Sequence, residues 1–182
     1  MKRPTEQLVD ELLVMRCQDG DAASMDLLVA RWHERLLHHA MRLTGRRDAA
    51  WEAVQEGWLG IIRGLKRLDD PARFRPWAYR IVTNKCADWI RRRKRQRRFG
   101  RMNESVEPAA PASGDADKTA ADEVRAAMEC LSDGQRIVLR LHYTDGLGVA
   151  EISQALGIPV GTVKSRLHHG RAELRRRTGR SE

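Results

Sequence analysis

The sequence has few cysteines, which build disulfide frameworks and zinc sites, and it has no long apolar run. It contains only three cysteines, Cys17, Cys86 and Cys130, an odd and widely spaced set without a CxxC pair. We therefore predict no disulfide framework and no metal site, and we expect reduced, packed thiols in a cytoplasmic protein. No apolar run approaches the length that spans a bilayer, and the charged start MKRPTEQLVDELL lacks the apolar segment of a signal peptide. We expect no membrane insertion.

Motifs for catalysis are missing as well. The chain has no glycine-rich phosphate loop, no carboxylate cluster suited to two-metal nuclease chemistry, and no Ser/His or Cys/His constellation. It also has no strand pattern of any strength and no internal repeat. The sequence therefore predicts an all-α protein without catalytic residues or cofactor.

Basic residues dominate the charge. The chain has 34 Lys and Arg against 25 Asp and Glu, a formal net charge of +9, which is typical of proteins with a polyanionic partner. Residues 1–101 carry 23 basic and 13 acidic residues, 102–123 carry 1 and 6, and 124–182 carry 10 and 6. This order predicts two small helical domains, 1–101 and 120–182, that face nucleic acid. The acidic Pro/Ala stretch 102–119 has no apolar period and is predicted to be a flexible linker.

The stretch from Gly146 to Arg177 reads as two short helices joined by a tight turn. The first is predicted over Val149–Leu156 and ends at Gly157, and the second is predicted from Pro159 to about Arg176. At 100° per residue, Val163, Leu167, Gly170 and Leu174 form a buried stripe. The outer face and its flanks carry Thr162, Lys164, Ser165, Arg166, His168, His169 and Arg171. This is the helix-turn-helix pattern, in which the second helix enters a DNA major groove; a basic helical hairpin that binds nothing is the alternative.

Apolar spacing predicts further helices on both sides of the linker. Before it, we expect helices over residues 5–17, with Leu8, Leu12 and Met15 on one side, and 25–43, with Leu28, Trp32, Leu36, Ala40 and Leu43 recurring. Gly45 is the predicted stop, and Asp48 is the predicted N-cap of the next helix. After the linker, we expect a helix from near Ala120 to Cys130, then a capping-box start at Ser132 and Gln135.

The predicted 48–65 helix contains a conflict. Val54, Trp58, Ile61 and Leu65 form a core stripe, yet Gly57, Gly60 and Gly64 lie in the same helix and each costs about 1 kcal/mol relative to Ala. Glycines at this spacing allow a neighbour to pack closely. The opposite surface carries Glu52, Gln55, Glu56 and Leu59, and it is either a solvated face or a protein-docking surface.

A basic helix follows, beginning near Pro76, with Trp77, Ile81, Cys86 and Trp89 or Ile90 predicted to face a core. It runs into a tail in which 8 of the 11 residues from Arg91 to Arg101 are Lys or Arg. Such a run is either a solvated arm or a phosphate-binding segment. Phe74, Trp77 and Tyr79 beside it could stack unpaired bases, but packing is the expected role of at least two of these rings.

The order of these segments resembles a bacterial RNA polymerase sigma factor of the extracytoplasmic-function (ECF) group, which keeps only regions two and four of the larger sigma factors. DAAWEAVQEGWLGIIRGL resembles region 2.2, the helix that docks on the clamp of the polymerase largest subunit. FRPWAYRIVTNKCADWIRRR resembles regions 2.3 and 2.4, which open and read the minus-ten element. DGLGVAEISQALGIPVGTVKSRL resembles region 4.2, which reads the minus-thirty-five element, and PVGTVKSR is its most specific string.

The resemblance implies a transcription initiation factor that binds core RNA polymerase, at the clamp and at the flap of the second-largest subunit, and directs it to promoter DNA. It leaves open whether an anti-sigma factor also binds. The implied polymerase-docking residues are Glu52, Gln55, Glu56, Leu59 and Ile62. The implied minus-ten residues are Phe74, Trp77, Arg80, Asn84, Arg91, Arg92 and Arg95, with Asn84 where the family holds a flipped-out base. The implied minus-thirty-five residues are Pro159, Thr162, Lys164, Ser165, Arg166, His168 and Arg171.

Some positions depart from the family pattern. Gly148 stands where a Ser or Thr helix cap is usual, and His168 and His169 stand where bulkier or longer side chains are common. Two other classes of protein remain open. A helix-turn-helix regulator that acts without polymerase would not explain the acidic helix or the basic arm, and a DNA-modifying enzyme would need a nucleophile, for which Tyr79 is the only candidate.

Overall fold

The chain folds into helices arranged in two units. In this computed structural model the structure describes residues 5–98 and 126–178, and these contain no β-strand, so the all-α prediction is confirmed. The two units are Met1–Ala109 and Ala110–Glu182. The first contains α1 (Thr5–Gln18), α2 (Ala22–Thr44), α3 (Arg47–Leu65), a 3-10 turn (Pro71–Arg73) and α4 (Phe74–Arg98). The second contains α5, described over residues 126–129, α6 (Asp133–Tyr143), α7 (Val149–Leu156) and α8 (Val160–Thr178).

Three predictions fall wholly or partly outside these ranges. The linker predicted over 102–119 and the helix start predicted near Ala120 lie outside the described residues. The predicted basic tail is described as far as Arg98, where it forms the last turns of α4. No helix in the described parts of the chain is long and apolar enough to cross a membrane.

The core of the first unit is built around Trp32 of α2. Its ring meets those of Phe74 and Tyr79 edge-on, with centroid distances of 5.6 and 6.2 Å. The predicted α2 stripe is confirmed for Leu28, Trp32, Leu36 and Ala40, which are buried, whereas Leu43 is half-buried. The helix ends at Gly45, whose φ of 67° is the left-handed conformation that glycine adopts without strain. The α2 stop was therefore predicted correctly.

Helix α1 packs against the core with a different face from the one that carries Leu8, Leu12 and Met15. It buries Leu13, Val14 and Cys17, whereas Leu8, Leu12 and Met15 are each about half exposed. The side chain of Gln18 donates hydrogen bonds to the carbonyl oxygens of Leu65 and Leu68, at 2.9 and 2.8 Å. Leu65 is the last residue of α3, and its carbonyl also accepts a bond from Leu68 N–H at 3.1 Å, so Gln18 ties α1 to the turn that ends α3.

One local prediction for the first unit was wrong, and another was confirmed only in part. Asp48 is not the N-cap of α3, because that position is Arg46, whose side chain makes no capping hydrogen bond. Asp48 lies in the first turn and binds the Arg46 guanidinium at 2.6 Å, an ion pair that lowers the pKa of the Asp48 carboxyl to about 2. On α4, Cys86 is buried as predicted, but Trp77, Ile81, Trp89 and Ile90 are only half-buried, and the other buried residues are Phe74, Pro76, Ala78, Tyr79 and Val82.

The second unit holds the helix-turn-helix. The capping box at α6 is confirmed: Ser132 N–H donates to the Gln135 side-chain oxygen at 3.1 Å, and Gln135 N–H donates back to the Ser132 hydroxyl at 3.4 Å. Helix α7 covers Val149–Leu156 as predicted, and Gly157 adopts the left-handed conformation with φ 65°. At Gly148 the cap is partial, since its N–H donates to Glu151 Oε2 at 2.7 Å but it has no side chain to return a bond.

Candidate protein-docking and nucleic-acid interfaces

The glycines of α3 face α4. A Cβ added to Gly57 would stand 2.9 Å from Val82 Cγ2, one at Gly64 would stand 2.8 Å from the Trp77 ring, and one at Gly60 would stand 3.3 Å from Ile81 Cγ2. The close neighbour predicted from the glycine spacing is therefore α4. With this side of α3 occupied by α4 and the stripe of Val54, Trp58, Ile61 and Leu65 buried in the core, the remaining side of α3 is the one that can meet a partner.

That remaining side combines apolar and polar groups. Leu59 is 52% exposed and Ile62 is 49% exposed, and Gln55 lies between them on the same face. Trp51 belongs to this stripe although it was not among the predicted docking residues. Its ring is 38% exposed and lies 5.2 Å from the ring of His33, centroid to centroid. Its position in the sequence could have revealed this, because residues 51, 55, 59 and 62 lie within about 80° of one another around a helix.

The two carboxylates of the predicted docking set are engaged with α4. Glu56 accepts a bond from the Lys85 ammonium at 3.0 Å, and Glu52 accepts one from the Arg92 guanidinium at 3.1 Å. Arg92 also lies 4.0 Å from Glu56. The acidic edge of α3 and the basic edge of α4 therefore form one connected charged seam, defined here by Glu52, Glu56, Lys85 and Arg92.

Helix α4 presents a polar and basic ridge to solvent. Arg80, Asn84, Arg91 and Arg95 are all exposed and fall within about 60° of one another around the helix. The Asn84 amide has no hydrogen-bond partner among the described residues, so its donor and acceptor are both available. Arg91 binds Asp88 one turn earlier on the same ridge. The structure thus brings four of the predicted minus-ten residues onto a single surface.

Two aromatic side chains near this ridge have packing roles. Phe74 and Tyr79 are each only 1% exposed and both pack against Trp32. The inclusion of Phe74 among the DNA-contacting residues was therefore wrong, because its ring is inside the core and cannot meet a base. Trp77 differs, since its half-buried ring covers Gly64 and stays at the surface. The expectation that at least two of the three rings pack is confirmed.

A groove separates the start of α3 from the end of α4. Its volume is about 280 Å³. The Arg93 guanidinium carbon lies 5.2 Å from the Trp89 ring centroid at this groove. Arg92, a predicted minus-ten residue, borders it and is held by Glu52. The groove is lined by Arg46, Asp48, Glu52, Trp89, Arg92, Arg93 and Gln96.

Three of the four residues in the predicted stripe of α8 are buried, namely Val163, Leu167 and Gly170, whereas Leu174 is half-buried. Val163 and Leu167 are buried, and Gly170 lies so close to α6 that a Cβ there would stand 2.8 Å from Leu139 Cδ1. The helix begins at Val160, one residue later than predicted, and the Pro159 carbonyl accepts a bond from Val163 N–H. Pro159, just before the helix, is exposed, and so are Lys164, Ser165, His168 and His169 on the outer face and its flanks.

The flanks of α8 are partly held by the rest of the unit. Thr162 is half-buried, and its carbonyl accepts a bond from the Ser165 hydroxyl at 3.1 Å. The Arg166 guanidinium carbon would lie 3.1 Å from a Cβ on Gly134 of α6. The Arg171 guanidinium carbon lies 5.4 Å from the Tyr143 ring centroid. Arg166 and Arg171 are thus oriented by α6, whereas Lys164 projects freely.

The described residues contain no group of three or more His, Cys, Asp or Glu side chains placed to hold a metal ion. Cys17 and Cys86 are buried free thiols, and burial raises the pKa of both, that of Cys86 to about 12. Cys130 is also a free thiol but is exposed, so the expectation of packed thiols is confirmed for two of the three cysteines.

These features define a helical DNA-binding protein of two units, with a helix-turn-helix in the second. The family model for Sigma-70 region 2 matches residues 28–96, and that for Sigma-70 region 4 matches residues 121–174. The chain therefore belongs to the sigma-70 family, in its extracytoplasmic-function group, and it is a transcription initiation factor that directs RNA polymerase to promoters.

Similar proteins and structures agree with this assignment. The ECF RNA polymerase sigma factor SigE of Mycolicibacterium smegmatis is 32% identical over 163 residues, which are 86% of this chain and 63% of that protein. The ECF RNA polymerase sigma-E factor of Escherichia coli K12 is 29% identical over 182 residues, 93% of this chain and 94% of that protein. The structure of CnrH with the cytosolic domain of CnrY is 25% identical, with a TM-score of 0.64 over 91% of this chain and 94% of that one. The fold is also similar to that of the sigma factor RpoE bound to the anti-sigma factor NepR from Bartonella quintana, which is 22% identical with a TM-score of 0.67 over 87% of this chain and 98% of that one.

Proposed function

We propose that this factor uses three separate surfaces to bind polymerase and promoter DNA. The outer face of α3 docks on the clamp of the polymerase largest subunit, the ridge of α4 reads the minus-ten element as separated strands, and the outer face of α8 reads the minus-thirty-five element as duplex. A second polymerase contact is made by the region-four unit on the flap of the second-largest subunit. The observation that carries the proposal is that α3 and α4 are packed together through glycines yet present different chemistry outward.

The docking surface comprises Glu52, Gln55, Glu56, Leu59 and Ile62, to which we add Trp51. A half-exposed apolar stripe bordered by carboxylates on an otherwise basic domain is unsuited to DNA and suited to a basic, partly apolar protein surface. Large apolar side chains at the centre of such a patch usually supply most of the binding free energy. We therefore assign affinity to Trp51, Leu59 and Ile62 and orientation to the charged residues.

The minus-ten surface comprises Trp77, Arg80, Asn84, Arg91, Arg92 and Arg95. Asn84 has a free amide, which matches the donor and acceptor edge of an unpaired base. Trp77 lies on the same ridge and offers a ring face for stacking. The arginines that follow toward the end of α4 neutralise phosphates.

The minus-thirty-five surface comprises Pro159, Thr162, Lys164, Ser165, Arg166, His168 and Arg171. Ser165 and His168 project from α8 opposite its buried stripe, so they reach base edges, and the flanking cations meet phosphates. In this role the factor acts in the cytoplasm, where polymerase works, and performs no catalytic step itself. An anti-sigma factor is a further proposed partner, which we base on the similar structure of the sigma factor RpoE with the anti-sigma factor NepR.

The docking assignment is tested by replacing Gln55 and Glu56 together with Lys. This change introduces a positive charge at the centre of the patch and reverses the charge at its edge, so we expect loss of stable binding to core polymerase. Binding of the free factor to DNA should remain. The matched control is Glu34→Lys, a charge reversal on the exposed side of α2. Holoenzyme assembly is measured by fluorescence anisotropy or size exclusion, with thermal unfolding as a check on the fold. Wild-type assembly by the double variant would show that α3 does not dock.

A further inference from the structure

Lys85 and Arg92 lie at the border between the two interfaces of the first unit. Around α4, Lys85 is about 100° and Arg92 about 80° from Asn84, so both flank the DNA-facing ridge on its α3 side. Their partners are the carboxylates of the docking helix: Lys85 Nζ lies 3.0 Å from Glu56 Oε2, and Arg92 Nη2 lies 3.1 Å from Glu52 Oε1. Lys85 was not among the predicted DNA-contacting residues.

The packing of α3 against α4 fixes the distance between these groups. Gly57 and Gly64 allow the two helices to approach until α4 side chains contact the α3 backbone. The seam residues are all partly solvent-exposed, with side chains 35% to 50% exposed. Ion pairs at such exposure are individually weak and exchange readily with other partners. Long Lys and Arg side chains can also turn by one rotamer to reach a phosphate beside the ridge.

We propose that Lys85 and Arg92 are shared between the two interfaces. In the free factor they are bound to Glu56 and Glu52. When the docking face meets a basic polymerase surface, the two carboxylates turn to it, and Lys85 and Arg92 become additional contacts to promoter phosphates. This inference rests on the proposed docking and minus-ten surfaces, and it adds Lys85 as a DNA-binding residue.

The arrangement couples the two binding events. A cation that neutralises a carboxylate in the free factor adds little to DNA binding, because its counter-charge is already satisfied. Polymerase docking removes that competition, so DNA affinity should rise on assembly. Coupling of this kind is reciprocal, and promoter binding should strengthen docking by the same factor.

The direct test is the variant Lys85→Gln/Arg92→Gln, compared in the free factor and in holoenzyme. The probe is a fork promoter fragment whose minus-ten region is single-stranded, titrated over a range of salt concentrations. In holoenzyme the variant should lose on the order of tenfold in affinity, and its salt slope should fall by about 1.4, the value for two phosphates on a single strand. In the free factor the loss should be less than about twofold. Equal losses in the two states, or no loss in either, would overturn the sharing.

The second test releases the cations without polymerase. Glu52→Gln/Glu56→Gln should raise the affinity of the free factor for the same fragment by about threefold to tenfold, with a steeper salt dependence. Adding Lys85→Gln/Arg92→Gln should abolish this gain. The control is Glu34→Gln, which removes a carboxylate of the same domain that is paired within α2. A gain no larger than that of the control, or one that persists without Lys85 and Arg92, contradicts the proposal.

The free-factor experiment does not depend on the docking assignment. If Gln55→Lys/Glu56→Lys assembles holoenzyme normally, then α3 is not the docking helix, whatever the behaviour of Glu52→Gln/Glu56→Gln. Alternatively, docking is lost in that variant while Lys85→Gln/Arg92→Gln lowers the DNA affinity of the free factor and of holoenzyme equally. That result would support the docking assignment and contradict the sharing of the two cations.

Discussion

Val82 of α4 occupies the space into which a side chain at Gly57 of α3 would project, with its Cγ2 only 2.9 Å from the ideal Cβ position. Val82 is fully buried, and a β-branched side chain in a helix has few alternative rotamers. The contact therefore cannot be relieved by turning the valine aside. The glycine that weakens α3 as a helix is required by the fit of α4.

Gly57→Ala should destabilise the first unit by up to about 2 kcal/mol, the overpacking cost less the gain in helix propensity. Overpacking of a core typically costs about 1–3 kcal/mol, and the better helix propensity of Ala returns about 1. All five tryptophans lie in residues 32–89, so tryptophan fluorescence during urea unfolding reports this unit alone.

The control for this change is Gly161→Ala, since a Cβ at Gly161 of α8 meets nothing within 4 Å. It should leave the tryptophan transition unchanged and raise the helix stability of the other unit, as seen by circular dichroism. Gly57→Ala would contradict the packing argument if it unfolded at the same or a higher urea concentration than the wild type.

His39 makes the stability of the first unit depend on pH. Its ring is fully buried, bonds Thr83 Oγ1 through Nε2 at 2.9 Å, and meets the Tyr79 ring edge-on. Burial, with a smaller contribution from the charge of Arg42, lowers the pKa of His39 to about 3. Below about pH 6.5 the unfolded chain binds a proton that the folded chain excludes, so stability falls as the pH falls, by about 1.4 kcal/mol per unit.

The measurement is the free energy of unfolding between pH 6.5 and 4.5, where most carboxylates remain ionised. His39→Gln keeps a side-chain hydrogen-bonding group but does not titrate, so its curve should be flatter over this interval, although the variant is less stable overall. Parallel curves for the two proteins would show that His39 is protonated without cost and that its burial does not control the pH dependence.

The helix-turn-helix was the most predictable part of the structure. Helix α7 has the predicted bounds, and Gly157 and the capping pair Ser132 and Gln135 behave as expected. These features are local, because each depends on residues within about five positions of one another. Short-range hydrogen bonding and backbone conformation therefore fix them without knowledge of the rest of the fold.

Features that depend on distant residues were not predictable in detail. The glycines of α3 indicated a close neighbour but not that Val82 and Trp77 would be its contacts. Helix α1 carries apolar residues on more than one side, so periodicity alone did not show that Leu13 and Val14, rather than Leu8, meet the core. Phe74 was misassigned because a ring beside a basic helix has the same local sequence whether it packs inward or stacks on DNA.

Asn84 on the α4 ridge should read one minus-ten base. Its exposed amide is without a partner among the described residues, and a base-edge contact is worth about 1–3 kcal/mol of discrimination. Asn84→Ala should therefore reduce discrimination at a single minus-ten position by about that amount. The measurement is the affinity of holoenzyme for fork fragments that differ at each position in turn. Arg95→Ala, farther along the ridge, should instead weaken all fragments alike; a uniform loss for Asn84→Ala would assign it a backbone or packing role.

On α8 we expect the residues that position the helix on DNA to differ from those that read sequence. Arg176 and Arg177 are held by Glu173, at 2.7 and 2.5 Å, beyond the part of the helix that carries Ser165 and His168. Because the single carboxylate of Glu173 neutralises only one of the two arginines, Arg176→Ala still removes one net positive charge, so it should weaken binding to every duplex about equally and lower the salt slope by about one unit. Ser165→Ala or His168→Ala should leave the slope unchanged and relax preference at one or two minus-thirty-five positions.

Glu173→Gln is the matched control on α8, because it removes the carboxylate that holds both arginines without altering the groove-facing residues. It should strengthen binding to matched and mismatched duplexes alike. The experiment is a salt titration of the full chain on duplexes that carry single changes in the minus-thirty-five element. If Arg176→Ala alters sequence preference while Ser165→Ala and His168→Ala change only the salt slope, then α8 enters the groove with a different face. Arg176 lies about 20° from Ser165 around the helix but three turns along it, so that outcome would require the end of α8, rather than its start, to lie in the groove.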